Sequence, residues 1–414
     1  MKTSPFVQVL REASPYIHQY RDETFVVLLN HRVMQSASLE AIVHDFALLQ
    51  SLGIRLVICF ESHNREEITP TPTTLLNLSQ IQAQCGIYRS LLEALFSTSL
   101  PNTPMANANL QVVSGNFVTA KPTGIIDGVD YQHTGKPRKI DNQGLSHLLD
   151  HKHIVLLPDL AYSTTGECFY VPIEAIGTAA AKALRATKLL TFTDEQSLTD
   201  IPNQLVLSDA QALYVQQPSL ALHQAILSSE EGIPRSQIVN HEKDGALLTE
   251  LFSIDGCGSL ITQNPFETIE NATIDDVGGI MALIKPLEEK GVLVKRERER
   301  LEQEINDFIV IKRDDCVLAT AALYPHDNQM AEIACVATHP NYQGDGRAAS
   351  MLEFLEKRAK QQDIQQLFVL TTQSAHFFIE HGFKKSSVDA LPQTKQSFYN
   401  LQRNSCVFTK QISE

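Results

Sequence analysis

The chain has 414 residues, of which 43% are hydrophobic and 20% are charged, a composition typical of a soluble globular protein. Its length exceeds what one ordinary hydrophobic core supports and predicts two or three domains. The formal net charge of −14 argues against non-specific binding to nucleic acid, because a phosphate backbone requires a basic partner surface.

The cysteines and the amino-terminal segment indicate the compartment. The seven cysteines are scattered without a CxxC pair, so we predict no disulfide framework, no metal cage and a reducing environment. The amino-terminal segment lacks a continuous apolar core, and no stretch of about 18 apolar residues occurs elsewhere. We therefore expect a cytoplasmic protein that does not associate with a membrane.

The first part of the chain alternates helices with apolar strands. Residues 5–20 carry apolar side chains at helical spacing, which predicts either an interaction arm or a helix packed on its own domain. Uninterrupted apolar runs at 25–29, 54–60 and 153–157 are typical of strands buried on both faces. With a helix at 39–51 between the first two, this order predicts a mainly parallel α/β sheet.

Two later segments differ from this pattern. Residues 129–140 show polar alternation around a Thr-Gly turn, and we predict a surface hairpin there. The polar segment 264–276 precedes a change of character, so we place a domain boundary near 266–280. A helical stretch, a charge run and strand-like segments at 308–311 and 317–323 follow. We assign domains to residues 1–270 and 278–414.

The strongest local signal lies at residues 332–360. A strand at 333–337 leads into the turn Gln343-Gly344-Asp345-Gly346-Arg347-Ala348, and an amphipathic helix follows. The start of a helix presents backbone N–H groups and a positive dipole end to an anion, and glycines let a phosphate approach closely. A further strand at 367–371 completes the order. The sequence therefore predicts a pyrophosphate-binding turn, with a plain surface loop as the alternative.

This order resembles the Q/R-x-x-G-x-G/A acetyl-CoA signature of the GCN5-related N-acetyltransferase (GNAT) superfamily. The resemblance implies main-chain contacts with the pantetheine arm and a pyrophosphate loop. The residues implied are Cys335 and Val336 for the arm, and Gln343, Gly344, Gly346, Arg347 and Ala348 for the loop.

Further segments resemble the bacterial two-domain N-acetylglutamate synthases. In the second domain these are LVKRERERLEQEI, IACVATHP, LFVLTT, HGF and YNLQRNS, and in the first they are HDFALLQSLGIRLV, DYQHTGKPRKID and GALLTELFSIDGCGSLI. The resemblance implies an amino-acid-kinase-like parallel-sheet sandwich followed by a GNAT α/β domain. It also implies acetyl transfer from acetyl-CoA to the α-amino group of L-glutamate, the first step of arginine biosynthesis. A homo-oligomer, a hexamer held by the kinase-like domains and the arm, is implied as well.

Acetyl transfer to an amine requires a base, because the acceptor arrives as an ammonium. Glu332 opens the acetyl-CoA strand and is the candidate base, with a solvated strand-end carboxylate as the alternative. Strand alternation places Glu332, Ala334 and Val336 on one face and Cys335 on the other, unless a bulge reorders the faces. Cys335 is therefore unattractive as a nucleophile and more typical of a small buried hydrophobe.

A substrate with two carboxylates requires cationic partners, and arginine binds carboxylates in a bidentate manner. The resemblance assigns glutamate binding to Arg403 and Arg296. Lys295 is an alternative to the adjacent Arg296. For the whole charge run KRERERLEQE, which contains both residues, the alternative is a solvated helix face without a binding role. Two further sets complete the candidate site: Thr371 and Thr372 for orienting the α-amino group, and Tyr399 for protonating the departing CoA thiolate, unless Tyr399 is a packed core-edge residue.

The kinase-like domain lacks the residues that hold ATP. The first turn reads Leu28-Leu29-Asn30-His31 and the second reads Cys59-Phe60-Glu61-Ser62, without the lysine and the glycines of active amino-acid kinases. Related synthases also lack the lysine but usually keep the glycine pairs. We therefore predict no ATP-dependent phosphorylation.

The resemblance places an L-arginine effector site elsewhere in this domain. Glu250 offers a carboxylate for a guanidinium group, and Gly256 and Gly258 form a turn with an accessible backbone. An ordinary helix-end acid is the alternative for Glu250, and the direction of any arginine effect stays open. Two other functions stay open too: a GNAT enzyme for another amino acid or amine with a pseudokinase sensor, and a non-catalytic arginine-responsive assembly protein.

Overall fold

The computed structural model describes residues 4–64, 71–101, 103, 105–194, 201–253, 256–263, 267–313, 316–344, 346–397 and 405–412. The chain divides into two compact units, Met1–Pro265 and Phe266–Glu414. Both units are mixed α/β, as predicted.

The first unit contains nine described helices and fourteen described strands. The helices are α1 (Pro5–Tyr20), α2 (His31–Met34), α3 (Leu39–Ser51), α4 (Leu75–Phe96), α5 (Asn142–Asp150), α6 (Ile173–Leu184), α7 (Leu207–Gln216), α8 (Leu220–Glu230) and α9 (Ala246–Phe252). The strands are β1 (Thr24–Leu29), β2 (Arg55–Phe60), β3 (Val112–Ser114), β4 (Val118–Pro122), β5 (Ile125–Ile126), β6 (Val129–Asp130), β7 (Gly135–Ile140), β8 (Ile154–Pro158), β9 (Leu160–Tyr162), β10 (Cys168–Tyr170), β11 (Lys188–Thr193), β12 (Gln204–Val206), β13 (Arg235–Asn240) and β14 (Ser259–Thr262).

An eight-stranded sheet organises the first unit. Its order is β12-β14-β13-β11-β1-β2-β8-β3, and its neighbours pair in parallel except β13 with β14. Every residue of β1 is buried. Phe25, Val27 and Leu29 belong to the core under α3 and α4, whereas Val26 and Leu28 belong to the core under α5 and α6. Helices on both faces explain why the strand is apolar throughout.

The predicted hairpin over 129–140 is wrong. Strand β6 pairs with β5, whereas β7 pairs with β4. The hairpin turn lies at Asp127 and Gly128, whose φ angles of 52° and 82° suit the turns that tight hairpins prefer. Thr134 is instead fully buried, and its hydroxyl donates to the Thr71 carbonyl at 2.9 Å. The Thr-Gly pair is therefore an anchored strand start and not a turn.

The second unit is built on one seven-stranded sheet. Its strands are β15 (Thr268–Asn271), β16 (Phe308–Arg313), β17 (Cys316–His326), β18 (Met330–Thr338), β19 (Gln366–Thr371), β20 (Lys384–Ser386) and β21 (Cys406–Gln411). Its helices are α10 (Val277–Glu289), α11 (Arg298–Gln303), α12 (Arg347–Gln361), α13 (Ala375–Glu380) and α14 (Gln393–Ser397).

The sheet order is β15-β16-β17-β18-β19-β21-β20, and only the central pair β18–β19 is parallel among the described pairs. Helix α12 covers one face with Leu352, Leu355 and Ala359, in agreement with the predicted amphipathic pattern. Helix α10 covers the other face with Ile280 and Ile284.

Candidate active site

The two parallel strands at the centre of the second unit separate part-way along their length. Strands β18 and β19 pair from Met330 with Gln366 to Ile333 with Val369, where the described ladder ends. Both strands continue beyond this point, to Thr338 and Thr371. A cavity of about 630 Å³ lies in the opening between them. The strand backbone is thus exposed to a ligand in the middle of a sheet.

A β-bulge lies where the strands separate. Ala334 pairs with Ala322 and Ala337 pairs with Thr320, so residues 335 and 336 of β18 stand opposite a single residue of β17. Cys335 has a φ of 54°, in the left-handed region. Such a bulge interrupts the ladder and leaves main-chain groups for other partners.

The bulge overturns the expected face alternation. Cys335 packs in the same core as Ala334 and Ala337, whereas Val336 faces the opposite core. Cys335 therefore shares a face with Glu332, and Val336 does not. Burial raises the pKa of the Cys335 thiol to about 12, which leaves it protonated near neutral pH.

The glycine turn forms one wall of the cavity between the strands. Gly344 and Gly346 have φ angles of 102° and 76°, and a Cβ added at either position would meet no heavy atom within 4 Å. Gly346 is the N-cap of α12 and carries no side chain to accept from the first helical turn. Gln343, Arg347 and Ala348 lie around the same space. This open helix start is suited to an anion.

A second cavity, of about 950 Å³, adjoins the first at the bulge. Both cavities are lined by Leu293, Ala334, Cys335 and Leu370. The charged side chains around the second cavity are Lys295, Arg296, Arg300, Asp327, Glu332 and Lys395. Counted over the described residues, four cations against two carboxylates make this cavity basic within an acidic chain. A small anionic molecule is the ligand that it favours.

Glu332 points into the second cavity and is only 7% exposed. Its Oε2 lies 2.5 Å from Lys395 Nζ and 3.9 Å from His326 Nε2. Burial raises the pKa of Glu332, but the nearby His326 and Lys395 outweigh burial and hold the pKa below its ordinary range. Glu332 is thus a buried carboxylate that stays ionised.

Arg296 and Lys295 differ in their surroundings. Arg296 is half-buried, its guanidinium carbon lies 5.8 Å from the centre of the Tyr324 ring, and its Nη1 donates to the Val294 carbonyl at 3.2 Å. Its buried Nε has no hydrogen-bond partner among the described residues. Lys295 is exposed. The geometry therefore favours Arg296 over Lys295 as a fixed carboxylate ligand.

The structure does not bring all the predicted acceptor residues together. The Thr371 hydroxyl accepts the Ser374 N–H at 3.0 Å, and Thr371 lines the cavity between the strands. Thr372 is exposed and lines neither cavity. Tyr399 and Arg403 lie outside the described residues.

Sequence reasoning missed Lys395 and His326. Lys395 lies on the short helix α14, in a segment without a recognisable motif. His326 ends β17, and its neighbour Tyr324 pairs directly with Glu332 across the β17–β18 hairpin. His326 pairs with Met330, so His326 and Glu332 are diagonal neighbours in the β17–β18 hairpin. Diagonal residues of paired strands lie within side-chain reach, so the register of this hairpin could have indicated the contact.

Comparison with known proteins identifies the family. Residues 279–383 match the acetyltransferase (GNAT) family, and residues 24–213 match the amino acid kinase family. An amino-acid acetyltransferase from Azotobacter vinelandii is 43% identical, over 98% of this chain and 99% of its own length. One from Pseudomonas syringae pv. syringae is 44% identical, with the same coverage. The chain belongs to the amino-acid acetyltransferase family.

Solved structures agree with this family. The acetyltransferase is similar to N-acetylglutamate synthase from Neisseria gonorrhoeae complexed with coenzyme A and L-arginine, with a TM-score of 0.90 and 32% identity over 99% of this chain and 100% of that one. The same synthase complexed with coenzyme A and N-acetyl-glutamate matches with a TM-score of 0.60 and the same identity and coverage. The predictions of the two folds, of an acyltransferase and of acetyl-CoA as co-substrate are confirmed.

The two turns that lack the ATP-binding lysine and glycines lie at the carboxyl ends of β1 and β2, beside the carboxyl end of β11. A cavity of about 530 Å³ there is lined by Asn30, His31 and Glu61 among others. Glu61 is buried, and its Oε2 accepts the His31 N–H at 3.2 Å. Arg32 and Asp194 form an ion pair at 2.7 Å beside it. Carboxylates thus stand beside the two turns that the resemblance assigns to phosphate binding in active amino-acid kinases.

The predicted effector residues do lie together in the acetyltransferase. Glu250 Oε2 accepts the N–H groups of Cys257 and Gly258, both at 2.8 Å. A Cβ at Gly256 would come within 2.4 Å of the same oxygen, and the φ of 61° at this position also favours glycine. Glu250 Oε1 accepts from Gln237 at 2.7 Å.

A buried cation also lies near Glu250 and was missed by sequence reasoning. Lys188 is 2% exposed and donates to Gln237 Oε1 at 3.1 Å, so Gln237 links it to Glu250. Its ammonium lies 4.9 Å from the centre of the Tyr20 ring, at the end of α1. Lys188 begins a buried strand, where sequence alone gives no sign of a ligand-binding role.

In the described part of the acetyltransferase, no helix is long and apolar enough to cross a bilayer. Among the same residues, no group of three or more His, Cys, Asp or Glu side chains is arranged to hold a metal ion.

Proposed function

We propose that the acetyltransferase transfers the acetyl group of acetyl-CoA to the α-amino group of L-glutamate, the first step of arginine biosynthesis. The observation that carries this proposal is the junction of two cavities at the bulge of β18. One cavity offers a glycine turn and an open strand backbone, and the other is basic and contains the buried Glu332. The related synthase complexed with N-acetyl-glutamate supports the same acceptor.

The donor would lie along the opened strand. The pantetheine arm takes main-chain contacts at Cys335 and Val336, where the bulge leaves backbone groups unpaired by the sheet. The pyrophosphate sits on the turn of Gln343, Gly344, Gly346, Arg347 and Ala348, with α12 directing its positive dipole end at the anion. This placement brings the acetyl group to the junction with the second cavity.

The acceptor would be held by charge. Arg296 and Lys395 supply cations for the two carboxylates of L-glutamate, together with Arg403 as the resemblance implies. Holding both reactants in line can supply roughly 7–11 kcal/mol of the barrier reduction. Thr371 keeps its proposed part in orienting the amine, from the donor side of the junction, whereas Thr372, which lines neither cavity, has no part in this scheme.

Glu332 acts as the base in this scheme. It removes one proton from the glutamate ammonium, directly or through a water, and the neutral amine attacks the thioester carbonyl. The tetrahedral intermediate breaks its C–S bond, and the CoA thiolate leaves with a proton from Tyr399. The attacking nitrogen releases its second proton as the amide forms, and this proton restores Tyr399. When the substrate carboxylates draw Lys395 away, the pKa of Glu332 rises, because an opposing cation has left. The substrate thereby strengthens the base that acts on it.

We further propose L-arginine as an effector of the kinase-like unit. Its guanidinium group would bind at Glu250 and the turn of Gly256 and Gly258, and the buried Lys188 lies near enough to favour a carboxylate. The related synthase complexed with L-arginine supports this ligand. Exposed apolar side chains on α1, such as Phe6 at 74%, support a homo-oligomer. As the resemblance implies, we propose that it is a hexamer, and we propose that it resides in the cytoplasm.

One assay tests the proposed reaction. Free CoA thiol is followed after mixing the protein with acetyl-CoA and single amino acids or polyamines. We expect thiol release that requires L-glutamate, with N-acetylglutamate as product and a rate that changes when L-arginine is added. If another amine supports release and L-glutamate does not, the enzyme acts on a different acceptor.

A further inference from the structure

Arg347 helps to line the cavity between the strands, yet its guanidinium group is held by partners inside the protein. It is 10% exposed, and its Nε and Nη2 donate to the two carboxylate oxygens of Glu267 at 2.8 and 2.9 Å. Its Nη1 donates to the Tyr342 carbonyl at 2.8 Å. Three nitrogens of the guanidinium thus have partners inside the protein.

Glu267 holds a second buried guanidinium as well. Arg313 is 6% exposed, and its Nη2 lies 2.5 Å from Glu267 Oε1. The guanidinium carbons of Arg347 and Arg313 lie 5.5 and 5.6 Å from the centre of the buried Tyr342 ring. Burial raises the pKa of Glu267, but the two arginines outweigh burial and keep the pKa below its ordinary range. Glu267 is thus an ionised carboxylate shared by two buried guanidinium groups.

The contacts of the Arg347 guanidinium connect the two ends of the glycine turn. Tyr342 directly precedes residues 343–346, and Arg347 directly follows them. The Arg347 guanidinium therefore bridges both ends of the turn, and Glu267 fixes that bridge to the start of β15. Glycine has the least restricted backbone of all residue types, and Gly344 and Gly346 both have positive φ angles. The turn therefore needs support from outside its own backbone to keep one shape.

We propose that Glu267 and Arg347 form a clamp that sets the shape of the pyrophosphate turn, and thereby the affinity for acetyl-CoA, without acting on the acceptor. This inference rests on the proposed role of the turn in binding acetyl-CoA. Arg347 is a positioning residue here, because its guanidinium group supports the turn through Glu267 and the Tyr342 carbonyl. The obvious rival is that the Arg347 guanidinium contacts the pyrophosphate itself.

The clamp and the direct phosphate contact predict different effects of Glu267→Gln on acetyl-CoA binding. In the clamp, Glu267→Gln and Arg347→Gln remove the same support, so each weakens acetyl-CoA binding by about tenfold. The double variant then loses no more than about twofold beyond either single variant, because coupled residues are not additive. If Arg347 touches the phosphates instead, Arg347→Gln weakens binding, whereas Glu267→Gln frees the cation and leaves binding unchanged or tighter.

The measurement is calorimetric titration of the full chain with acetyl-CoA and with CoA, combined with steady-state kinetics. We expect a higher KM for acetyl-CoA in both single variants, while the KM for L-glutamate and the kcat at saturating acetyl-CoA stay within about twofold of the parent. Glu267→Asp, which keeps the charge, should restore most of the affinity that Glu267→Gln loses.

Arg358→Gln is the matched control. Arg358 ties the other end of α12 to the same region, since its Nη1 and Nη2 donate to Asn271 Oδ1 at 3.3 Å and to the Asn306 carbonyl at 2.6 Å. We expect it to lower the thermal midpoint without changing acetyl-CoA affinity. An equal loss of affinity in Arg358→Gln would reduce the clamp to general helix anchoring and overturn the proposal.

Failure of the acceptor assignment would be distinguishable from failure of the clamp. A parent protein that binds acetyl-CoA but does not acetylate L-glutamate loses the proposed reaction, and the calorimetric comparison of variants still decides the clamp. A parent protein that binds neither acetyl-CoA nor CoA would overturn both.

Discussion

At the scale of single residues, the acceptor site depends on how Glu332 keeps its charge. A buried carboxylate normally resists ionisation, but Lys395 at 2.5 Å and His326 at 3.9 Å favour the ionised form. We predict that Glu332→Gln lowers kcat by about 10²- to 10⁴-fold, the range for loss of a general base. Calorimetry should show unchanged acetyl-CoA binding. Near-parental kcat in this variant would assign the proton transfer to another group.

The pH dependence follows from the same pair. The pKa of Glu332 lies below its ordinary range, so the parent enzyme should lose kcat/KM only in acid, as Glu332 takes up a proton. Lys395→Met removes a cation and raises that pKa, so the acid limb of kcat/KM should move toward neutral pH. Profiles of both proteins at saturating acetyl-CoA test this. An acid limb that does not move would separate Lys395 from the ionisation of Glu332.

Cys335 offers a contrasting case. It shares the face of Glu332, yet its thiol pKa of about 12 leaves it protonated. We predict that Cys335→Ala keeps kcat within about fivefold, because a small buried hydrophobe is replaced by a smaller one. A covalent acyl-cysteine mechanism requires instead that this variant is inactive. Rapid mixing with labelled acetyl-CoA, followed by protein mass spectrometry, distinguishes the two outcomes.

Sequence could predict only some of these residues. Glu332 and the glycine turn belong to a short ordered signature, so their positions follow from a contiguous pattern. Lys395 and His326 come from separate elements and meet Glu332 only through tertiary packing. The orientation of the Arg347 side chain depends on Glu267, which lies 80 residues earlier in the chain. Contacts over such separations leave no local trace.

At the scale of elements, the glycine turn and the start of α12 form one device. Gly346 has a φ of 76°, and a left-handed conformation costs a residue with a Cβ roughly 1–2 kcal/mol. We predict that Gly346→Ala raises the Kd for acetyl-CoA, because the strained turn moves and its Cβ occupies the phosphate side. Gly232→Ala is the control: its φ is 89° and the space around it is open, but it lies in the other unit.

The two glycine variants should lose similar conformational stability, whereas only Gly346→Ala should lose acetyl-CoA affinity in calorimetric titration. Equal affinities for both would remove the turn from the donor site.

Element order was predictable because apolar runs and helical spacing are local signals. The strand at 333–337 and the helix after the turn were both found from pattern alone. The bulge at Cys335 was not, because its cause is the register of β17 against β18, where Thr320 and Ala322 oppose residues that are not evenly spaced. The hairpin at Asp127–Gly128 was mispredicted because the buried hydroxyl of Thr134 looks like a turn residue until its partners are known.

At the scale of the whole molecule, the two units carry separate hydrophobic cores. The fold of each was implied by resemblance across many short segments, because no single segment is specific enough. The connecting residues 264–266 lie outside the described structure, and the boundary near 266–280 stays a prediction. The described residues that line the cavities of the proposed reaction all belong to Phe266–Glu414.

The proposed catalytic cavities belong to the second unit, whereas the proposed effector residues belong to the first. We therefore predict that catalysis and the response to L-arginine are separable. A protein of residues 267–414 keeps the sheet β15–β21, its two cores and both cavities, so it should bind acetyl-CoA and acetylate L-glutamate. It should show no change of rate with L-arginine, because Glu250 and Lys188 are absent. In the full chain, Lys188→Met should abolish the L-arginine response and the rise in thermal midpoint that a bound ligand produces, while basal acetylation continues. An arginine response retained by residues 267–414 would place the effector site in the catalytic unit. Loss of basal acetylation in Lys188→Met, with the fold intact by circular dichroism, would instead show that the first unit is required for the reaction itself.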